Sequence, residues 1–126
     1  MLDTSVLVDS LSGQRPCAAE LRRAIEMGER IELPSLVLYE WLRGPRLPEE
    51  IAVQEELFPS GRAIAFGPQE AAVSAGLYRT LRRPRGREID LAIAACAIAR
   101  GAALWTKNEA DFADIPGLRL YAPPVR

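Results

Sequence analysis

The chain has 126 residues, 48% of them hydrophobic and 26% charged, a mixture that supports one globular domain over residues 1–126 and excludes a disordered chain. Its 16 basic and 17 acidic residues leave a formal net charge of -1, so any attraction to nucleic acid must come from a local patch. The longest apolar run, Leu91 to Ala99, falls well short of the roughly 20 residues a membrane-spanning helix needs, which excludes a membrane protein of that kind.

The opening MLDTSVLVDS places Asp3 between Met1 and Leu2 on one side and Val6, Leu7 and Val8 on the other. A carboxylate in such a setting is costly to desolvate, so Asp3 is expected either at the exposed end of a first strand or against a cation. In CAAELRRAIEMG, the spacing of Cys17, Leu21 and Ile25 predicts an amphipathic helix ended by Gly28. RIELP offers a short strand at Ile31 to Leu33. Ser35 then reads as the N-cap of a helix SLVLYEWLRG that stops near Gly44 and Pro45 and carries Glu40. PEEIAVQEELF, with Pro48 and two acids in the first turn, predicts another helix; its acids Glu49, Glu50, Glu55 and Glu56 read as a solvated face.

AIAF, from Ala63 to Phe66, predicts a strand, and PQEAAVSAGLYRTLRR a helix that Pro84 and Gly86 terminate. IDLAIAACAIARG is small or apolar on nearly every face apart from Asp90 and Arg100, which predicts a central buried helix. AALWT follows as a buried strand, NEADFADI as a short helical turn, and LRLY as a last strand before a proline-bearing tail. Strands alternating with helices imply an α/β fold, a mostly parallel sheet covered on both faces. The functional crevice of such a fold lies outside the carboxyl ends of the strands, where Asp3 and Thr106 fall. Cys17 and Cys96 sit among apolar neighbours with no secretory signal before them, so reduced core thiols in a cytoplasmic protein are expected.

Four acids stand in apolar contexts that do not need them: Asp3 in LDTS, Glu40 in LYEW, Asp90 in IDLAIAA and Asp111 in NEADF. Singly, each fits a structural role: Asp90 as a helix cap, Asp3 in a turn, Glu40 paired with Arg43. Together they change the reading, because Asp3, Asp90 and Asp111 can all reach one crevice. Carboxylates about 4 Å apart repel by roughly 1 kcal/mol in water and by several times that at a partly buried site, a conflict that a divalent cation removes. Oxygen ligation suits Mg²⁺ or Mn²⁺. With no histidine in the chain, imidazole chemistry is excluded, and no glycine-rich nucleotide-binding motif is present. Acids and metal point to displacement at phosphorus.

The segments LDTSVLVD, LYEWLRG, DLAIAACAIARGAALWTKNEADF and IPGLRLY, in that order, resemble the PIN domain, specifically the VapC-type toxin ribonucleases of prokaryotic toxin–antitoxin pairs. The resemblance runs essentially end to end. It implies a PIN-like three-layer domain and a Mg²⁺- or Mn²⁺-dependent endoribonuclease with RNA as substrate. It also implies a cognate antitoxin whose tail wraps the toxin, and a homodimer. Asp3, Glu40 and Asp90 match the family's core acids. The family's T-x-D or T-x-N after the final core strand reads here Thr106, Lys107, Asn108, with Asp111 a turn later. Asn108 offers only a neutral oxygen, so Asp111 is taken as the fourth acid and Asn108 as a helper, with Thr4, Ser5 and Thr106 in supporting positions. The chain departs from the pattern in giving its first strand only Met1 and Leu2 before Asp3.

All basic residues except Lys107 are arginine, whose planar fork suits phosphate. Arg79, Arg82, Arg83, Arg85 and Arg87 crowd the approach to Asp90, and of these Arg82, Arg83, Arg85 and Arg87 are expected to contact the RNA backbone, positioning it without reading sequence. Trp41, beside Glu40, is expected at an interface, where it would help form a groove for the antitoxin tail. Two other classes compete. A receiver-like signalling domain would need a phosphoacceptor aspartate ending a middle strand, which neither IELPS nor AIAFG provides. A module that holds RNA or a partner without cleaving it is the second.

Overall fold

A computed structural model describes residues 1–12 and 17–123; the end of the proline-bearing tail lies outside this range. Among the described residues run α1 (Thr4–Leu11), α2 (Ala18–Glu26), α3 (Ser35–Arg43), α4 (Pro48–Leu57), α5 (Pro68–Thr80), α6 (Glu88–Arg100) and α7 (Glu109–Phe112), with a 3-10 turn at Ser60–Arg62. Helices α2 to α7 fall close to where the periodicity and punctuation of the sequence place them, except that α5 ends at Thr80, before residues 81–83, rather than at Pro84. Helix α1 is an element the sequence reading does not assign. Its buried residues Val6, Leu7, Ser10 and Leu11 recur at helical spacing, and the Asp3 carbonyl accepts the amides of Val6 at 3.2 Å and Leu7 at 3.3 Å, so the helix begins directly after that acid.

Between the helices, short extended segments lie side by side. Leu2 bridges Trp105, Pro34 bridges Ile64 and Leu104 bridges Leu120, all in parallel, and the Leu2 amide donates to the Glu32 carbonyl at 3.0 Å. Numbered along the chain, the segments around Leu2, Pro34, Ile64, Leu104–Trp105 and Leu120 are therefore ordered third, second, first, fourth, fifth. The parallel sheet expected from the sequence is present in these described residues only as isolated bridges, not as continuous strands. Helix starts crowd out longer ladders: α1 opens at Thr4 and α3 at Ser35, and Pro34 has no N–H to donate. The Ser35 amide reaches across instead to the Ile64 carbonyl at 2.8 Å.

Helix α6 is the centre of the core. Every residue from Leu91 to Ala97 is buried, and its alanines let α5 lie closely along it, while α3 meets it from elsewhere. Helix α1 packs on α2, α3 and α4. Leu2, Leu104 and Trp105 are buried in the central segments, so the first and fourth segments are clamped inside the core. At the end of α6, Gly101 takes φ 64°, the left-handed conformation, and the Ala102 amide closes back on the Ala97 carbonyl at 2.9 Å.

Several local expectations are corrected. Ser35 is the first helical residue of α3, and Pro34 holds the N-cap position. Ile25 is exposed, and Ala24 joins Leu21 on the buried face of α2. Glu50 is buried rather than solvated, because its carboxylate accepts the Leu47 amide at 2.8 Å and ties down the start of α4. Trp41 is fully buried, on the same helix face as Val37, with the Arg46 guanidinium 4.2 Å from its ring centroid; it is core, not interface. Cys17 and Cys96 are buried free thiols, as expected.

The left-handed cap of α6 gives a direct test. A side chain at φ 64° is strained, so Gly101→Ala should lower stability to urea by about 1 kcal/mol. Gly61→Ala, at an ordinary φ with open space at the added Cβ, should be neutral or stabilise by up to about 1 kcal/mol. Equal effects at the two positions would contradict the capping role of Gly101.

Candidate active site

Asp3 closes the first segment and precedes α1, with its amide donating to the Trp105 carbonyl at 2.9 Å. It is 4% exposed, and its Oδ2 accepts hydrogen bonds from the Thr106 hydroxyl at 2.7 Å and the Ser5 hydroxyl at 3.0 Å. Each hydroxyl is itself oriented: Ser5 Oγ accepts the Lys107 amide at 3.0 Å, and Thr106 Oγ1 accepts the Asn108 amide at 3.0 Å. Because these amides occupy acceptor positions, both hydroxyl protons are directed at the carboxylate. The 3.4 Å approach of the two hydroxyls to each other is then proximity rather than a separate bond. Both contacts fall on Oδ2.

Glu40 comes from α3. Its Oε1 accepts the Thr4 hydroxyl at 2.5 Å, and its Oε2 lies 3.5 Å from Arg43 Nη2, so the pair expected within the helix exists but is loose. Asp90 sits in the first turn of α6 and Asp111 in the first turn of α7. Burial pushes the Asp90 carboxyl up from 3.8 to about 6, reinforced by the negative charges of Asp3, Glu40 and Asp111 and opposed by Arg87. Asp3, Glu40 and Asp111 therefore each lie near enough to Asp90 to act on its carboxyl, although their chain positions are far apart. Thr4, Ser5 and Thr106 bond two of them directly, and Asn108 contributes its backbone amide.

The arginines divide. Arg82, Arg83 and Arg85 are exposed, and Arg82 and Arg83 line an open depression of about 520 Å³ together with Arg87, Ala110, Asp111 and Asp114. Arg87 is half-buried and engaged: it forks onto both oxygens of Asp114, at 2.6 and 2.9 Å, and donates to the Asp111 carbonyl at 2.9 Å. Asp114 is a residue that sequence reasoning missed, as is the ion pair between Lys107, in the Thr106–Asn108 turn, and Asp9 on α1. No motif signals either pairing, since each joins residues brought together only by the fold.

The donor set is carboxylate and hydroxyl oxygen with no histidine in the chain, which fits a hard divalent cation. Among the described residues no three acids stand close enough to form a finished ligand cluster.

The PIN domain family model matches residues 1–118, and the chain belongs to that family. It is 34% identical over 121 residues to Ribonuclease VapC19 of Mycobacterium tuberculosis (strain CDC 1551 / Oshkosh), an alignment covering 94% of this chain and 96% of the relative. Among solved structures, it resembles DNA-bound VapBC from Salmonella typhimurium (TM-score 0.80, 25% identity, 96% of this chain and 95% of that one). It also resembles VapBC2 from Rickettsia felis bound to a promoter DNA fragment (TM-score 0.70, 23% identity, 96% of each chain). The resemblance drawn from the sequence is borne out, and a receiver-like domain is set aside.

The raised Asp90 carboxyl has a thermodynamic consequence. Native Asp90 holds its proton up to about pH 6 whereas the unfolded chain releases it near 3.8, so this contribution is complete below 3.8 and is lost as pH rises through 6. In EDTA, the Asp90 contribution should fall across that window by about 1–2 kcal/mol after solvent screening of this half-exposed group. Asp90→Asn should remove that component and exceed the wild type in stability at pH 7.5. Parallel pH profiles for the two proteins, measured by thermal unfolding, would contradict the burial and crowding of Asp90.

Proposed function

We propose that this chain is a VapC-type endoribonuclease, the toxin of a toxin–antitoxin pair, hydrolysing RNA phosphodiester bonds with Mg²⁺ or Mn²⁺ at Asp3, Glu40, Asp90 and Asp111. The observation that carries the reading is that Asp3, Glu40 and Asp111, from three other elements, all lie near enough to Asp90 to act on its carboxyl. The name of the 34%-identical relative supports ribonuclease activity, and the VapBC titles of the structural neighbours support an antitoxin partner.

Asp3, Asp90 and Asp111 would hold the cation, with Glu40 completing the set. A bound divalent cation supplies Lewis acidity that polarises a phosphoryl oxygen and activates water. The protein's own part is orientation. Ser5 and Thr106 fix Asp3 through Oδ2 and leave Oδ1 for the ligand, while Thr4 holds Glu40 toward the crevice. With no histidine available, proton handling falls to the carboxylates. Exposed Arg82, Arg83 and Arg85 are suited to hold RNA phosphates beside Asp111.

The burial of Trp41 moves the antitoxin surface away from that side chain. A groove of about 280 Å³ between α2 and α4, lined by Leu11, Leu21, Ile25, Val53 and Leu57, presents apolar side chains suited to a hydrophobic partner segment. A basic side chain from the same partner, bonding Asp3, Asp90 or Asp111, would compete with the cation. The exposed Tyr39 and Leu42 on α3 offer apolar surface for a homodimer.

Purified protein incubated with total RNA should cleave it in Mg²⁺ or Mn²⁺ and not in EDTA, and Asp3→Asn should reduce the rate by roughly 10²-fold or more while the fold survives. Undiminished cleavage in EDTA would overturn the metal-dependent reading; binding without cleavage in any metal would favour a non-catalytic module.

The arginine assignment is tested separately. Arg82→Ala with Arg83→Ala should weaken binding of all single-stranded RNAs alike and reduce the slope of log K against log salt by about 0.7 per lost contact. An unchanged slope would assign these arginines elsewhere.

A further inference from the structure

Arg87 differs from its neighbours in how its guanidinium is used. Its Nη1 donates to Asp114 Oδ2 at 2.9 Å and to the Arg83 carbonyl at 3.2 Å; its Nη2 donates to Asp114 Oδ1 at 2.6 Å and to the Asp111 carbonyl at 2.9 Å. One side chain thus links the end of the α5–α6 loop, the N-cap position of α6 and the far side of α7. Asp90 lies in the first turn of α6 and Asp111 in the first turn of α7, so the brace spans the two elements that carry them. Phe112 in α7 and Ile115 just beyond it are buried and seat this short helix on the core, and the Arg87 bonds add a fixed direction on its other side.

Stability alone does not explain the arrangement. The Asp114 side chain is 52% exposed, and an ion pair in that setting contributes about 0–1 kcal/mol at most. What the fork provides is direction: two parallel bonds to one carboxylate fix the plane of the guanidinium and aim its remaining donor at the Asp111 carbonyl. A cation beside an acidic cluster is also a hazard, since it can pair with the acids and displace the metal. Here the guanidinium takes the backbone carbonyl of Asp111 and the carboxylate of Asp114, and the Asp111 carboxylate is left out of the pairing.

We propose that Arg87 is a positioning residue: together with Asp114 it braces Asp111 against Asp90 and so sets the affinity of the acidic site for a divalent cation, and it is not a contact to RNA phosphate. This rests on the reading of the acids as a cation site. It also makes a prediction whose sign a charge effect alone reverses. If Arg87 acted only as a nearby positive charge, removing it would tighten cation binding; if it positions Asp111, removing it loosens binding.

The test is calorimetric titration of Mn²⁺ into the full chain, without RNA, for the wild type, Arg87→Lys, Arg87→Gln, Asp114→Asn and Asp90→Asn. The wild type should bind Mn²⁺, and Asp90→Asn should lose it. Arg87→Lys keeps the charge but not the fork, and Asp114→Asn keeps the arginine but not the fork's full acceptor; both should bind about 10–100-fold more weakly, as should Arg87→Gln. In EDTA, the salt dependence of RNA binding by Arg87→Gln, read by fluorescence anisotropy, should match the wild type. Wild-type affinity in Arg87→Lys and Asp114→Asn, tighter binding in Arg87→Gln, or a flattened salt slope would each overturn the brace while leaving the metal site standing. Failure of the wild type to bind Mn²⁺, or undiminished binding by Asp90→Asn, would overturn the metal reading and the brace with it. Should Arg87→Gln fail to fold, the lysine and asparagine variants decide the question.

Discussion

A buried carboxylate held between two chain segments organises this molecule. Asp3 Oδ2 receives hydroxyl protons from Ser5 in the first turn of α1 and from Thr106 at the end of the fourth segment, while the Asp3 amide donates to the Trp105 carbonyl. An isolated carboxylate at this depth would cost several kcal/mol, and only a full set of donors makes its burial tolerable. Those donors exist only when the first and fourth segments are in register. The same residue opens α1, whose amino end favours negative charge. Correct pairing of the central segments, the start of the first helix and the placement of the first site acid are thus one event.

Around that point the site is assembled against its own electrostatics. Asp90 and Asp111 enter from the first turns of α6 and α7, and Glu40 from within α3, so each charge is introduced by an element whose other face is buried. The alanine-rich body of α6 supplies much of that burial, and its seat in the core holds Asp90 where burial, reinforced by the neighbouring negative charges, raises its carboxyl to about 6. Core packing thereby offsets an unfavourable cluster that the proposed chemistry requires, as strained or mismatched groups at active sites generally are offset by the surrounding structure.

The acids were legible in the sequence because each is a charge where periodicity demands none, and Thr106 because it ends a buried run. The helices from α2 onward were legible from spacing and from Pro and Gly punctuation. Helix α1 was not, because the Leu2 segment and the helix follow one another with no breaker, and Val6, Leu7 and Val8 in a row suit strand or helix equally. Regular strands were over-read, since pairing length depends on where neighbouring helices start. An apolar helix face suits core or interface equally, and Trp41 proves to be core: its partner at i−4 is Val37, and that pair marks the buried face, whereas Tyr39 and Leu42 face outward. Within the arginine run, sequence had no means to separate Arg87 from Arg82, Arg83 and Arg85, because the distinction is made by Asp114 in another element.

The near-zero net charge conceals two adjoining poles of opposite sign. The charges of Asp3, Glu40 and Asp111 act on Asp90, and Arg82 and Arg83 line an open depression together with Asp111. A phosphate drawn to that depression meets repulsion one step further in, so on the proposed reading the arginines alone can dock a backbone but cannot seat a phosphodiester among the acids. A divalent cation reverses the sign of the inner pole, and its binding and that of RNA then favour one another by the same free energy in either order.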